Sequence, residues 1–392
     1  MTAGPASRAG VVAVLGTAQT LAWASSYYLP AILAAPMAAE FGVPASWVFG
    51  AFSAALVVSA FLGPWAGRAI DRRGGRPVLA ASSLVFAVAL ALLAAAPSFP
   101  VLALGWLLLG IGMAVGLYEA AFSTLAHLYG REARASITGI TLIAGFASTV
   151  GWPASALLLD AIGWRGACVA WAALHLLLGL PLNLLLPRRG PAPDETATTA
   201  GAAAALDAPP PRYAMPLLSF AFGTTVFVSA AMAAHLPGLI AAAGLPVAVA
   251  VTAGALIGPA QVVARVGEWT VRRRFHPLVA ARLATLGHPL GAAVLLFLGG
   301  PAGAYALALL HGGGNGILTI AKGALPLAVF GPAGYGARQG WISAPARVLQ
   351  AASPFLFGVA LERLGADALA VTTGLSLSAL FALLLLRTRR HA

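Results

Sequence analysis

Long apolar runs separated by short polar segments make up most of this 392-residue chain. A helix needs about 20 apolar residues to cross the roughly 30 Å hydrocarbon core of a bilayer, and only helices or closed barrels satisfy their backbone there. The runs are too long for barrel strands. We therefore predict an all-α membrane protein with twelve transmembrane helices, near residues 11–36, 46–66, 78–96, 100–126, 136–159, 164–186, 214–240, 247–271, 278–298, 301–330, 340–361 and 366–386.

The twelve predicted spans form two groups of six, separated by a polar segment rich in Pro, Ala and Thr. Such a composition, with no apolar face, is typical of a flexible linker. We predict an N-terminal six-helix bundle over residues 1–186, a linker over 187–212 and a C-terminal six-helix bundle over 213–392.

Composition agrees with a bilayer environment, because 60% of the residues are hydrophobic and only 9% are charged. The net charge of +12 does not indicate nucleic-acid binding, because the arginines lie between apolar runs rather than on one soluble face. One cysteine, Cys168, provides no disulfide framework. Motifs for catalysis or metal binding are absent from the sequence, so we expect no enzyme, no cofactor and no metal. We interpret His127, His175, His288 and His311 as structural.

Arginines are distributed unevenly between alternate loops, and positively charged loops stay on the cytoplasmic side. One set of loops holds Arg165 and Arg363. The other set of loops and tails holds 17 arginines: Arg8, Arg68, Arg72, Arg73, Arg76, Arg131, Arg134, Arg188, Arg189, Arg212, Arg272, Arg273, Arg274, Arg338, Arg387, Arg389 and Arg390. We therefore expect both termini and the linker to be cytoplasmic, the first helix to be uncleaved, and the protein to lie in a bacterial inner membrane.

Short motifs recur between the two groups of spans. The sequence YLPAIL from Tyr28 resembles HLPGLI from His235. Four further matches lie 200 residues apart, namely Arg72 with Arg272, Pro77 with Pro277, Gly112 with Gly312, and Gly116 with Gly316. Recurrence of this kind is typical of duplicated transporters and predicts two pseudo-symmetric halves.

The segment GRAIDRRGGRP, residues 67–77, joins spans two and three. Together with the two six-helix halves and the linker, it resembles the major facilitator superfamily. Gly67, Asp71, Arg72, Gly75 and Arg76 fill the superfamily's motif in this loop if one extra residue is allowed. The resemblance implies a latch that closes the cytoplasmic gate. The alternative, that the arginines only set the topology, would not require Asp71.

Two signatures of the superfamily's drug exporters are imperfect here. Trp106 stands where proton-driven exporters carry an arginine in span four. In span five, Trp152 separates Gly151 from Pro153, so the Gly-Pro motif of antiporters is only loosely matched. The direction of transport and the coupling ion therefore remain open.

Of the ionisable residues within predicted spans, four are candidates for a functional site: Glu119, Arg265, Lys322 and Arg347. Each costs about 2.5–3.5 kcal/mol in a bilayer centre unless it is paired or hydrated, so such residues face a central cavity. Three cations against one carboxylate favour an anionic substrate, because a guanidinium can hold a carboxylate at two points. Glu119 is the candidate protonatable partner. Structural salt bridges are the alternative.

Further cavity candidates are aromatic or polar. They are Trp23, Tyr27, Tyr28, Gln261, Asn315 and His235. Tyr28 and His235 occupy matching places in the repeat, so we expect them to act as gates on the extracellular side. His235 could carry a proton or lie at the membrane interface. Tyr and Trp residues also serve as interfacial anchors.

A second resemblance concerns the substrate. Ala264 and Arg265 in span eight, Arg347 in span eleven, WASSYYLPAIL in span one and the Gly163-Trp164-Arg165 segment are similar to bacterial carriers of the monocarboxylate and oxalate type. This implies a monomeric secondary transporter that moves a small organic anion such as a monocarboxylate by alternating access. Protons or a counter-anion would be coupled to its transport, and the lipid bilayer would surround it. Efflux of drugs or toxic compounds, including metalloids, by proton-coupled antiport is the alternative, and a receptor or scaffold on this fold remains a third.

Overall fold

The computed structural model describes residues 7–129, 133–188, 212–271, 276–330 and 335–386. Regular structure in these ranges is helical throughout, which confirms the all-α prediction. The helices are α1 Arg8–Ala24, α2 Pro30–Glu40, α3 Ala45–Arg73, α4 Gly75–Ala95, α5 Phe99–Gly116, α6 Tyr118–Tyr129, α7 Ala133–Ala144, α8 Ala147–Leu174, α9 Leu180–Leu184, α10 Ala214–Ala242, α11 Val247–Val271, α12 Pro277–Leu298, α13 Gly300–Phe330, α14 Tyr335–Leu364 and α15 Leu369–Leu385.

The chain divides into two compact units, Met1–Asp194 and Glu195–Ala392. In the first unit α1 with α2 forms span one, and α5 with α6 forms span four. Helix α8 contains the end of span five and the start of span six, and a π-helical turn at His175–Gly179 joins it to α9. In the second unit α10 to α15 supply one helix for each span, as the sequence predicts.

The outer surface of the helices is apolar. Phe61, Leu177 and Phe297 are 71%, 78% and 90% exposed, respectively. Eight stretches of the described chain are long and apolar enough to cross a membrane, and two of these, Ser136–Leu184 and Pro345–Leu385, have the length for two crossings each. Apolar exposure on this scale is incompatible with a water-facing surface. The protein is therefore a multi-pass membrane protein.

Glycines set the closest helix contacts in both units. A side chain at Gly110 would collide with the backbone of Ala55 on α3, and one at Gly312 would collide with the backbone of Ile257 on α11. Small residues allow membrane helices to approach in this way. The two contacts are equivalent, and their residues lie 202 positions apart (312 − 110 and 257 − 55).

This equivalence corrects the predicted pairing of Gly112 with Gly312 and of Gly116 with Gly316. Gly112 and Gly116 pack against α4, whereas Gly312 and Gly316 pack against α11. A two-residue shift turns a helical position by about 200°, because each residue advances the helix by about 100°. The equal spacing in the sequence therefore matched glycines that lie on different faces of their helices.

Arg165 ties together three segments at one end of the first unit. Its guanidinium contacts Glu40 Oε1 through Nη2 at 2.6 Å and donates to the carbonyls of Ala94 and Ala96, where α4 ends. Trp164 Nε1 donates to Glu40 Oε2 at 2.6 Å. The hydrogen bond from Arg165, aided by that from Trp164, lowers the pKa of the Glu40 carboxyl below its ordinary value of 4.5. Gly163, with φ of 71°, supplies the turn that places Trp164 and Arg165 here.

Stability should depend on pH through Glu40. Because its folded pKa is lowered, the ionised carboxylate stabilises the folded state above pH 4.5, and this contribution disappears as the pH falls through the folded pKa. Thermal unfolding in detergent should show Glu40→Gln less stable than the parent at pH 7, with the difference vanishing below pH 4.5.

Arg165→Ala is the matched variant for this test. It also removes the bonds to Ala94 and Ala96, which do not titrate, so it should cost about 1–2 kcal/mol at pH 7 and remain destabilising in acid. An Arg165→Ala protein as stable as the parent at pH 7 would contradict the role assigned to this contact.

Candidate functional site

Two helix breaks meet at an aromatic cluster in the first unit. Residues 25–29 separate α1 from α2, and Leu117 separates α5 from α6. Trp23, just before the first break, lies 4.8 Å from the ring of Tyr118, which directly follows the second. Tyr27 and Tyr28 extend the cluster, with ring centroids 5.0 and 6.3 Å from Trp23. Interrupted helices at membrane depth are tolerated where they line a cavity, so this cluster is the candidate site of the first unit.

Gln19 supports the second break, and the sequence analysis missed it. Its Nε2 donates to the carbonyl of Gly116 at 2.7 Å, within the last turn of α5. The side chain is buried. A buried carbonyl at a helix end needs such a donor, because lipid offers none. A glutamine inside an apolar run was the available signal.

Glu119 lies in the first turn of α6, immediately after the same break. Its side chain is exposed, and its Oε2 sits beside Gly63 on α3, where an added methyl group would come within 2.9 Å. Ser123 Oγ donates back to the Glu119 carbonyl at 2.8 Å. The break therefore carries a carboxylate one residue after Tyr118, with its Oε2 beside α3.

In the second unit, Arg265 and Gln261 occupy successive turns of α11. Arg265 Nη2 donates to Gln261 Oε1 at 3.1 Å. Gly316 of α13 packs so closely on the backbone of Gln261 that any side chain there would collide with it. This contact fixes the turn that carries the guanidinium.

The other predicted residues of the second unit are more widely distributed. Lys322 is half-buried on α13, six positions beyond Gly316, and Arg347 is exposed on α14. Asn315 lines a small cavity between α10, α12, α13 and α15, which Gln261 and Arg265 do not line. Of the predicted polar set, the structure brings Arg265 and Gln261 together.

The two predicted gate residues form comparable contacts in their own units. Trp152 Nε1 donates to the Tyr28 carbonyl at 3.1 Å, and His235 Nε2 lies 2.7 Å from the Pro354 carbonyl. Pro354 follows Trp152 by 202 positions (354 − 152), the same offset as the glycine contacts. His235 is buried rather than placed at an interface. Its gating role remains a prediction.

The predicted latch lies where α3 turns into α4. Gly74 has a φ of 79°, which favours glycine, and it separates the two helices. Gly75 packs against the side chain of Thr124 on α6, whereas a side chain at Gly67 would meet no neighbour within 4 Å. Arg72 is exposed and Arg76 is half-buried. The side chain of Asp71 lies outside the described part of the structure.

Comparisons with known proteins identify the family. The family model described as Major Facilitator Superfamily matches residues 15–346. This chain belongs to the major facilitator superfamily.

Solved structures of the superfamily share its fold. A bacterial homologue of the human lysosomal transporter Spinster, in an inward-facing and occupied conformation, aligns with a TM-score of 0.69 at 16% identity, over 98% of this chain and 95% of that chain. The nucleoside transporter NupG aligns with a TM-score of 0.73 at 13% identity, over 96% and 99%. At these identities the likeness establishes the fold alone.

A curated relative adds a local sequence match. Human (Homo sapiens) monocarboxylate transporter 11 is 34% identical over 148 residues, which are 36% of this chain and 31% of that protein. The match thus spans about a third of the relative's length. The family match indicates a membrane transporter rather than an enzyme.

Alanine substitutions at Gly316 and at the nearby Gly313 test the packing of α13 against α11. Gly316→Ala should destabilise the protein by about 1–3 kcal/mol, because the new methyl group would collide with the backbone of Gln261. Gly313→Ala should be neutral or slightly stabilising, because its methyl group would lie 3.8 Å from Ala264 Cβ and alanine favours a helix. Thermal unfolding of both variants in detergent checks the difference. Equal midpoints for the two would contradict the packing described.

Proposed function

We propose that this superfamily member is a secondary active transporter that moves a small organic anion, such as a monocarboxylate, by alternating access. Two six-helix halves joined by the 187–212 linker would supply the moving parts. Both termini would lie in the cytoplasm, the membrane would be a bacterial inner membrane, and the working unit would be a monomer. Protons or a counter-anion would drive the cycle.

The observation that carries the proposal is the charge balance of the second unit. Residues 213–386 contain three carboxylates, Glu268, Glu362 and Asp367. They contain nine cations: Arg265, Arg272, Arg273, Arg274, Arg282, Lys322, Arg338, Arg347 and Arg363. Even if every carboxylate pairs with one cation, six remain. Arg272, Arg273, Arg274 and Arg338 belong to the loops expected on the cytoplasmic side, so the cations within the predicted spans are Arg265, Arg282, Lys322 and Arg347, against the carboxylates Glu268 and Asp367. An excess of this sign within the spans favours an anionic ligand.

Some of this excess has a structural explanation. Arg282 donates to the carbonyls of Leu383 and Leu386, at 3.0 and 2.8 Å, and so covers the end of α15. Cations near a helix C-terminus are favourable there. Arg265, Lys322 and Arg347 lie within helices α11, α13 and α14, at positions inside the predicted spans, and we take them as the cations of functional interest.

Arg265 has the best-defined position of the three. The amide oxygen of Gln261 orients its Nη2, and this uncharged amide does not itself neutralise the guanidinium. A guanidinium oriented in this way can hold a carboxylate through two parallel hydrogen bonds. Ordering the side chain beforehand reduces the entropic cost of binding.

The local likeness to a protein named as a monocarboxylate transporter supports the same substrate class. It agrees with the Ala264-Arg265 pair of α11 and with the cation at Arg347 of α14. Trp23, Tyr27 and Tyr28 in the first unit would add stacking surface for a planar anion. Glu119 would be a protonatable group of that unit.

Arg265→Lys tests the anion site. The charge survives but the planar fork is lost, so affinity for a small carboxylate should fall by about tenfold or more. Ligand-induced thermal shifts of the purified protein, measured across small carboxylates, lipophilic cations and metalloid oxyanions, report binding without a transport assay.

Arg282→Lys is the matched control, because this arginine serves the end of α15 and lies outside the proposed site. It should leave carboxylate binding within about twofold. Carboxylate binding by Arg265→Lys equal to that of the parent would refute a direct role for the fork. Shifts produced only by lipophilic cations would favour the efflux alternative.

Asp71 tests the proposed cytoplasmic latch. If its carboxylate holds the halves together in one state, Asp71→Asn should shift the balance between inward- and outward-open states and alter substrate counterflow severalfold in proteoliposomes. Asp160→Asn, which removes an exposed carboxylate from α8, should leave counterflow unchanged. Parent-like counterflow in a folded Asp71→Asn protein would leave Arg72 and Arg76 with a role in topology alone.

A further inference from the structure

A buried polar cluster in the second unit has no part in the anion site proposed above. His288 of α12 and His311 of α13 face each other, with their Nδ1 atoms 3.2 Å apart. His288 Nε2 lies 2.9 Å from Thr372 Oγ1 on α15. All three side chains are buried. Two histidines and a threonine inside a membrane helix bundle are costly unless each polar atom is satisfied.

The hydrogen bonds of this cluster determine which ring nitrogen of each histidine carries a hydrogen. Thr372 Oγ1 donates its single hydrogen to the Leu369 carbonyl at 3.0 Å, so it accepts from His288 Nε2. A neutral imidazole carries one hydrogen, so His288 Nδ1 is an acceptor. His311 Nδ1 must then be the donor to it, and His311 Nε2 is left with a lone pair. Among the described residues no hydrogen bond reaches that atom.

His311 borders a small cavity with ≈ 20 Å³ of space for the centre of a water molecule. Its polar lining consists of Thr225, Thr285, His288, His311, Asn315 and Ser376. Asn315 lies one turn from His311 on the same helix, where the two side chains are neighbours. Space of this size with several polar groups can hold a water molecule that brings a proton.

We infer that His311 Nε2 is a proton-binding site and that the His288–His311 pair binds one proton only. A proton on Nε2 leaves the rest of the chain unchanged and makes the bond from His311 Nδ1 to His288 charge-assisted, which strengthens it. A second proton would have to enter at His288 Nδ1. There it would set two N–H groups against each other and break the contact.

Few other charged groups are near this pair. On α12, Arg282 is six positions before His288 and is bonded to carbonyls at the end of α15. On α13, Lys322 lies eleven positions beyond His311, and on α10 His235 is bonded to Pro354. On α11, which also packs against α13, the charged residues are Arg265 and Glu268, and their neighbours Ala264 and Gln261 contact Gly313 and Gly316. The described part of α15 contains no Asp, Glu, Lys, Arg or His. The cavity lining itself has no carboxylate to hold a second proton or to neutralise the first.

Helix packing fixes the distance between the two rings. Gly287 packs against the Leu310 carbonyl beside the pair, and Gly291 and Gly314 pack against the backbones of Leu307 and Ala284, so α12 and α13 are in backbone contact on both sides of it. His288 and His311 are the residues next to Gly287 and Leu310. The first unit has Phe86 and Leu109 at the corresponding positions, 202 residues earlier, so the proton site belongs to the second unit alone.

The test is a pH titration of the full-length protein in lipid nanodiscs, labelled with ¹⁵N-histidine and observed by NMR. In a titration from about pH 8 down to about pH 3, a range extended downward because burial opposes a charge on the ring, the Nε2 of His311 should change from an unprotonated to a protonated signal. His288 should remain neutral, with its hydrogen on Nε2. This measurement needs no substrate, so it stands even if the proposed organic anion is wrong.

Single variants assign the signals and control the experiment. His311→Gln should abolish the titrating signal, whereas His127→Gln should leave it intact. His288→Gln offers an amide oxygen to His311 Nδ1, so the signal should persist there. If His311→Gln fails to fold, His288→Gln assigns the same signal. Titration of both rings, titration of neither, or a titrating signal that survives in His311→Gln would overturn the inference.

Discussion

A bilayer offers no hydrogen-bond partners, and this constraint governs every polar contact inside the two units. Each helix end or break within the membrane must find a donor from its own fold. Gln19 supplies one to the carbonyl of Gly116, Arg282 covers the end of α15, and Ser353 Oγ donates to the Phe227 carbonyl at 2.7 Å. The polar residues of the spans are therefore mostly structural. Polar residues of the spans that do not serve helix carbonyls in this way are the candidates for function.

Glycine packing is the second feature on which the candidate sites depend. Between membrane helices there is no hydrophobic driving force, so close van der Waals contact must hold them together. Gly110 and Gly312 give the same contact in the two units, which identifies the offset of 202 residues between the halves. In the second unit, further glycines position Arg265 and bring His288 to His311. The positions of the polar side chains in this unit therefore depend on glycines, which have no functional side chain themselves.

The two units differ in the candidate functional groups that they contain. The first has an aromatic cluster around two broken helices and a carboxylate at Glu119. The second has continuous helices, an excess of cations and a histidine pair.

The sequence alone determined the fold class, the spans and the family resemblance, because the length and polarity of apolar runs follow directly from the thickness of the bilayer. It also singled out Arg265 and Gln261, since a charge or amide in a long apolar run is conspicuous. It could not place Asn315 apart from Gln261, identify the role of Gln19, or pair Gly110 with Gly312. Those facts depend on which face of each helix meets which neighbour, and a two-residue shift reverses that face while leaving the composition unchanged. The histidine pair shows the same limit: His288 and His311 are 23 positions apart in the chain, and only the crossing of α12 and α13 brings their rings together.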